Sequence, residues 1–211
     1  MCATQPKLYS FRRCPYAMRA RMAILYAQQR VELREVVLKQ KPESLLNYSQ
    51  KATVPILVLS DGSVIDQSLA IMQWAISKYD PDNWQDKLSE QTQLIEKNDT
   101  DFKANLDKYK YADRHPEPEI YYRTACYEFL DNLDTRLKAQ RYLYAEHYCL
   151  ADIAIFPFIR QFAHVDLSWF ETSQWQYVKR WLNELKSSDL FLGIMHKYPA
   201  WTEHDKPTFF P

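Results

Sequence analysis

One cysteine of the chain stands where a protein can make a thiol nucleophilic. Cys14 lies between a short apolar run and a helical pattern that begins at Pro15. Proline is favourable at a first helical position, and the unpaired N–H groups of a helix start stabilise negative charge. Arg12 and Arg13 precede the cysteine, and further arginines lie within the next two turns. Because the thiolate is the nucleophilic form, this setting predicts a reactive Cys14, with a buried and inert thiol as the alternative.

Two further segments have the residue types of a ligand site. Thr53-Val54-Pro55 directly precedes a strand-like run, and proline is tolerated at the first residue of a strand. Asp66-Gln67-Ser68 opens a helical pattern, where backbone N–H groups and the Ser68 hydroxyl would suit a carboxylate. An ordinary helix N-cap is the alternative there. Each segment is therefore ambiguous when it is taken alone.

The composition excludes several common kinds of site. The 211 residues include 27 Lys and Arg and 27 Asp and Glu, so charge favours neither nucleic acid nor a membrane as partner. The only glycines, Gly62 and Gly193, exclude the glycine-rich motifs of dinucleotide-binding proteins, Walker ATPases and α/β-hydrolases. The histidines are scattered, and Cys2, Cys126 and Cys149 are widely spaced. We therefore expect neither a metal site nor a disulfide framework.

The elements that must position these residues change character near residue 80. The first part predicts strands at 7–11, 31–38, 55–59 and 63–65 and helices at 16–29 and 68–79. Four helical patterns follow, at 88–111, 119–139, 151–163 and 174–187. The chain therefore predicts a small α/β domain at 1–80, a linker at 81–87 and an all-helical domain at 88–211. No apolar signal-peptide core occurs at the N-terminus, so we expect a soluble protein of the cytoplasm.

In order and spacing, these motifs resemble those of the cytosolic glutathione transferase superfamily. The similarity is greatest to its cysteine-type members, which are the omega-like group and the two-domain glutaredoxin-like proteins. It covers nearly the whole chain and implies a thioredoxin-like N-terminal domain followed by an all-α C-terminal domain. The motifs are Cys14-Pro15-Tyr16-Ala17, Val54-Pro55, Asp61-Gly62, Gln67-Ser68 and Leu150-Ala151-Asp152-Ile153-Ala154.

The resemblance implies a role for individual residues. Cys14 corresponds to the catalytic nucleophile, and Val54 to the residue whose backbone pairs with the cysteine of glutathione. Gln67 and Ser68 correspond to the pair that holds the γ-glutamyl end, and Lys41 to a lysine beside the glycyl end. The implied cofactor is glutathione, as a cosubstrate, without a metal.

The activity implied by the resemblance is a glutathione-dependent thiol transferase or reductase. Cys14 would form a mixed disulfide with glutathione, and the acceptor would be a small-molecule or protein mixed disulfide. The family also implies a homodimer. One alternative is conjugation of glutathione to electrophiles, with Ser10 or Tyr9 assisting. The other is a non-enzymatic interaction protein that keeps the same fold.

Two positions depart from the family pattern. Gln67 stands where omega-like members often have Glu, so we expect altered affinity for glutathione rather than lost binding. Cys149 stands where the helix motif of the second domain usually begins with Ser or Thr, and a thiol is a weak acceptor. We therefore expect the loss of a cap worth ~1 kcal/mol, which Asp152 offsets through the helix dipole.

Overall fold

The chain divides into two compact units, each with its own internal contacts. The computed structural model describes residues 5–211. The first unit holds the chain up to Pro81 together with Ser188–Pro211, and the second unit is Asp82–Ser187. From the sequence, we expect the first domain to end at residue 80 and the helical domain to hold everything from 88 onward. By contacts, the last two dozen residues instead pack with the α/β unit.

The first unit is built on a five-stranded mixed sheet flanked by helices. The strand order is β4-β3-β1-β2-β5, in which only β1 and β2 run parallel. A helical crossover joins those two strands, as parallel neighbours require. The strands are β1 (Lys7–Ser10), β2 (Val31–Glu35), β3 (Ile56–Val58), β4 (Val64–Ile65) and β5 (Phe209–Phe210). The helices are α1 (Pro15–Tyr26), α2 (Glu43–Tyr48), α3 (Ser68–Ile76) and α11 (Asp189–Ile194).

Local sequence signals set most of this unit. Gly62 has a φ of +88° in the turn between β3 and β4, which confirms the predicted hairpin. Leu8 and Tyr9 of β1 are fully buried, as expected for a central strand. The α/β class predicted from the sequence is therefore confirmed for this unit.

The end of the chain completes the sheet, which no local pattern predicted. Phe209 and Phe210 pair with the start of β2, and the guanidinium of Arg30 lies 4.3 Å from the ring centroid of Phe209. The backbone N–H of Trp201 donates to the carbonyl of Glu35 at 2.8 Å. Unpaired backbone groups of an edge strand need partners, and the tail supplies them for β2.

The second unit is helical, as predicted. A π-helical turn at Asn98–Phe102 divides the first predicted helix, and a break near Ala125 divides the second. The predicted linker at 81–87 consists largely of turns, and the side chain of Trp84 within it is fully buried. The helices are α4 (Leu88–Lys97), α5 (Lys103–Lys110), α6 (Glu119–Thr124), α7 (Tyr127–Ala139), α8 (Leu150–Ala163), α9 (Leu167–Thr172) and α10 (Gln176–Ser187).

Helix α8 is the core of the second unit, and Asp152 caps its start directly. The Asp152 carboxylate accepts from the backbone N–H groups of Cys149 at 2.9 Å and Leu143 at 3.1 Å. It also accepts from the indole of Trp181 at 2.7 Å. The Cys149 sulfur lies 3.1 Å from the same carboxylate and acts as a donor. Asp152 thus offsets the weak cap through hydrogen bonds and not only through the helix dipole.

Within residues 5–211, no helix combines the length and the apolar character that a membrane crossing requires.

Candidate active site

One cavity of the first unit collects all five residues that the sequence analysis singled out. Cys14, Lys41, Val54, Gln67 and Ser68 line a cavity of about 440 Å³. That volume lies within the range of small-molecule sites. The remaining lining residues are Tyr16, Leu38, Ala52, Thr53, Pro55 and Asp66.

Cys14 occupies the N-cap position of α1. Its backbone is extended, with φ −74° and ψ 123°, and Pro15 is the first helical residue. The backbone N–H of Cys14 donates to the carbonyl of Phe11 at 3.0 Å, which closes the turn after β1. The half-buried side chain lines the cavity, with Sγ 3.6 Å from the Val54 carbonyl oxygen as a donor. The thiol therefore stands at a helix start and faces a space that can hold a ligand.

The segment that precedes β3 contributes the lining next to the thiol. Val54 is buried and is joined to Pro55 by a cis peptide bond. Its carbonyl oxygen is the partner of the Cys14 thiol. Backbone groups of this segment thus lie at the same point of the cavity as the sulfur.

The start of α3 forms another part of the lining. Gln67 is the exposed N-cap residue of α3, and Ser68 is buried at the first helical position. The Ser68 oxygen accepts a hydrogen bond of 3.0 Å from Nε of Arg19, a buried residue of α1. Because the arginine is the donor, the hydroxyl keeps its own proton for an acceptor. A helix start with a polarised hydroxyl is suited to a carboxylate.

Two charged side chains of opposite sign also line the cavity. Lys41 is exposed to solvent, so its ammonium can meet an anion. Asp66 lies next to the start of α3, and its carboxylate is 3.9 Å from the ammonium of Lys51. The sequence analysis named Asp66 only as part of the helix start. Its position one residue before the N-cap was the available signal that it would line the same cavity.

A buried cation, Arg21, is hydrogen-bonded to the turn that leads into Cys14. The guanidinium of Arg21 donates to the Ser10 hydroxyl at 2.9 Å and to the Arg12 carbonyl at 2.7 Å. It is 3.6 Å from the carboxylate of Glu35. Burial lowers the pKa of Arg21 to about 10, while Glu35 and Cys14 act in the opposite direction. Arg21 is therefore still charged at neutral pH, and it interacts electrostatically with Cys14.

Neither residue considered for direct activation of glutathione lines this cavity. Ser10 is fully buried, and its hydroxyl accepts from Arg21. Tyr9 is also fully buried, and its hydroxyl accepts from Arg34 at 2.6 Å. Both hydroxyl groups thus form hydrogen bonds within the interior of the first unit.

The other described cysteines have the opposite surroundings. Burial raises the pKa of Cys126 to about 12. Burial, and then the nearby Asp152 carboxylate, raise the pKa of Cys149 well above its ordinary value. Cys2 lies outside the described residues. Within residues 5–211, no cluster of three His, Cys, Asp or Glu side chains could hold a metal ion.

Both units match models of a known family. Residues 8–83 match the model described as Glutathione S-transferase, N-terminal domain. Residues 93–184 match the model described as Glutathione S-transferase, C-terminal domain. No curated protein sequence matches the chain significantly.

Solved structures share the fold at low sequence identity. A glutathione transferase family member from Pseudomonas fluorescens, with two glutathione bound, has a TM-score of 0.78 at 18% identity, over 92% of this chain and 94% of that chain. A Phanerochaete chrysosporium glutathione transferase in complex with oxidized glutathione has a TM-score of 0.78 at 18% identity. The match covers 90% of this chain and 94% of that chain. Glutathione transferase Omega 3C from Trametes versicolor has a TM-score of 0.77 at 15% identity. The match covers 93% of this chain and 90% of that chain. Since the two family models together span most of its length, the chain belongs to the glutathione S-transferase superfamily.

Proposed function

We propose that this protein is a glutathione-dependent thiol transferase or reductase in which Cys14 is the nucleophile. One observation carries the proposal: Cys14 is the N-cap of α1 and opens into the cavity that the start of α3 also lines. Helix starts favour thiolates, and thiolates perform disulfide exchange. The position of the thiol thus supports chemistry at its own sulfur.

The lining of the cavity fits the chemical groups of glutathione. Glutathione has a carboxylate at each end, an ammonium group on the γ-glutamyl end and a thiol between them. Gln67, the Ser68 hydroxyl and the N–H groups of α3 suit the γ-glutamyl carboxylate, and Asp66 suits the ammonium. Lys41 suits the glycyl carboxylate. The Val54 backbone lies next to the Cys14 sulfur, where the cysteinyl residue would have to bind.

The proposed reaction has two disulfide exchanges. The Cys14 thiolate attacks the glutathione sulfur of an acceptor mixed disulfide, so a new S–S bond forms and the acceptor leaves as a thiolate that takes up a proton. A second glutathione, as thiolate, attacks the glutathione sulfur held by Cys14. This step restores the Cys14 thiolate and releases oxidised glutathione. Over the cycle, the sulfur of the second glutathione is oxidised to the disulfide level and the acceptor sulfur is reduced to a thiol, while the glutathione sulfur carried by Cys14 remains at the disulfide level.

A single thiol is sufficient for this cycle. The fourth position of the motif is Ala17, so the first turn of α1 supplies no second thiol. Cys126 and Cys149 are buried in the second unit. Among residues 5–211, no second thiol lines the cavity, so in this proposal another glutathione molecule releases the bound one.

Mass measurement after treatment with oxidised glutathione tests the nucleophile. We expect one added glutathione, which peptide mapping assigns to Cys14. Cys14→Ser should lose both the adduct and thiol transfer, because a hydroxyl cannot undergo disulfide exchange. Cys149→Ser is the matched control, since it also replaces an N-cap cysteine, and it should keep both.

Three results would contradict the proposal. They are an internal disulfide that includes Cys14, an adduct on another cysteine only, and full thiol transfer by Cys14→Ser. Conjugation of electrophiles by Cys14→Ser at the wild-type rate would favour the conjugating alternative. Retention on immobilised glutathione without any turnover of mixed disulfides would favour a binding protein.

The γ-glutamyl subsite can be tested separately. Ser68→Ala removes one hydrogen bond to a carboxylate, which is worth about 1.5–3 kcal/mol, so affinity should fall at least tenfold by calorimetry. Ser77→Ala, at the other end of α3, is the control and should bind normally. Unchanged affinity of Ser68→Ala would remove Ser68 from the site.

The family resemblance also supports an omega-like subclass, a homodimer and a cytoplasmic location. Light scattering of the purified protein tests the homodimer, and we expect the mass of two chains.

A further inference from the structure

Two buried arginines of α1 point to different parts of the site, although only one residue separates them. Arg19 donates to Ser68 at the start of α3. Arg21 donates instead to Ser10 and to the carbonyl of Arg12, on the two sides of Phe11. Each guanidinium is almost completely buried. Arg21 therefore holds the turn that leads into Cys14.

The network around Arg21 connects this turn to α1, to β2 and to the C-terminal tail. The Arg12 N–H donates to Glu35 Oε1 at 2.6 Å, and the Arg12 carbonyl accepts from Arg21. The two side chains thus hydrogen-bond both backbone groups of the same residue. Glu35 is the last residue of β2 and receives the Trp201 N–H of the tail on its own carbonyl. Tyr198 of the tail also interacts electrostatically with Arg21.

We propose that Arg21 is a positioning residue for Cys14: its guanidinium fixes the turn after β1 and supplies a buried positive charge that favours the thiolate, and Glu35 tempers that charge. The proposal rests on the proposed function only in identifying Cys14 as the reacting group. A charge removed from solvent acts more strongly on its neighbours than an exposed charge does. For that reason, exposed Arg13 is a weaker source of the effect than buried Arg21.

The charged groups around these residues set the sign of each substitution. Arg12, Glu35 and Tyr198 surround Arg21, and Lys41 and Asp66 share the cavity with Cys14. Removing the positive charge of Arg21 should disfavour the thiolate. Removing the negative charge of Glu35 should leave Arg21 less compensated and favour the thiolate. The two substitutions therefore have opposite expected effects.

The rate of Cys14 alkylation by iodoacetamide as a function of pH, without glutathione, measures thiolate formation. Peptide mapping restricts the readout to Cys14. We expect Arg21→Met to raise the midpoint of the profile by about one pH unit. Arg21→Lys keeps the charge and should restore most of that shift.

Glu35→Gln is the decisive second variant, because its amide keeps an acceptor for the Arg12 N–H. It should lower the midpoint by several tenths of a pH unit or more. Arg30→Gln is the control for net charge, since Arg30 lies just before β2, at the sheet end opposite to the turn that follows β1. Its midpoint should equal that of the wild type.

A midpoint that is unchanged in both Arg21→Met and Glu35→Gln would overturn the proposal. Shifts of the same sign in the two variants would also overturn it, because they would indicate general loosening of the turn. If Arg21→Met does not fold, the other two variants still test the proposal. The alkylation midpoint should fall in Glu35→Gln and should stay near the wild-type value in Arg21→Lys, and any other result in either variant would contradict the proposal. The outcome is independent of thiol transfer, since the alkylation profile stands even if no mixed disulfide is ever turned over.

Discussion

Two cysteines of this protein hold the same position in a helix and have contrasting surroundings. Cys14 is the N-cap of α1 in the first unit, and Cys149 is the N-cap of α8 in the second. Both have extended backbone and both precede a helix of at least twelve residues. The helix dipole therefore acts on both sulfurs in the same sense.

Their neighbours differ. Cys14 is half-buried beside a cavity and interacts with the buried cation Arg21. Cys149 is only 4% exposed, and its sulfur lies 3.1 Å from the Asp152 carboxylate. Burial and this carboxylate raise the pKa of Cys149 despite the helix start. A helix N-terminus thus contributes to thiol reactivity, but access to solvent and the sign of the nearest charge decide it.

The largest expected difference between the two cysteines is in their rate of alkylation. In the native protein at neutral pH, Cys14 should react with iodoacetamide at least about a thousandfold faster than Cys149, since a buried thiol reacts only after local opening. Peptide mass spectrometry over time measures both rates in one sample. Comparable rates would show that the N-cap position outweighs burial, and in denaturant the difference should disappear.

The carboxylate that suppresses Cys149 should also be essential for stability. Asp152→Ala leaves the N–H groups of Cys149 and Leu143 and the Trp181 indole without their acceptor. We expect the free energy of unfolding to fall by about 3 kcal/mol or more in urea titrations. Asp152→Asn keeps one acceptor oxygen and should lose less. Equal losses would mean that the charge, not the hydrogen bonds, stabilises this helix start.

Alkaline pH should destabilise the fold through Cys149 and not through Cys14. The ordinary thiol pKa is 9.0, and the folded-state pKa of Cys149 lies above it. Its contribution is therefore complete below pH 9 and is lost as the pH rises, because the unfolded thiol ionises first. Between pH 8 and pH 10.5, wild type should lose about 2 kcal/mol more than Cys149→Ser. Because a favoured Cys14 thiolate would stabilise the fold as the pH rises, Cys14→Ser should not reduce the loss, and thermal unfolding against pH provides the measurement.

The smallest expected effect is that of Cys149→Ser at neutral pH. A hydroxyl is a better hydrogen-bonding group than a thiol at an N-cap, so the variant should gain ~0.5–1 kcal/mol. Urea titration against wild type measures the gain. A loss of stability would instead show that the buried sulfur contributes through packing.

The sequence predicted the parts of the site that depend on neighbours along the chain. The turn at Gly62, the start of α1 at Pro15 and the start of α3 at Ser68 follow from φ preferences and helix-end chemistry. Family motifs supplied Lys41, which no local pattern favours. The pairing of Arg19 with Ser68 was not predictable, because the two residues are 49 positions apart.

The end of the chain shows the same limit at the level of the fold. Its apolar pair, Phe209 and Phe210, is too short to predict a strand, and it becomes one only because β2 offers an open edge. Likewise, the π-helical turn that begins at Asn98 contains no proline or glycine from which the sequence could have predicted it. Tertiary packing decided both features.

By itself, the sequence determined which reactive or binding side chains stand at helix starts and which elements carry them. That information is local, since helix ends, turns and alternation depend on a few successive residues. Only the tertiary structure decided that Cys14 faces a cavity and a buried cation while Cys149 faces a buried carboxylate. The charge state of a thiol depends on burial and on charges a few ångströms away, and residues distant in the sequence supply both.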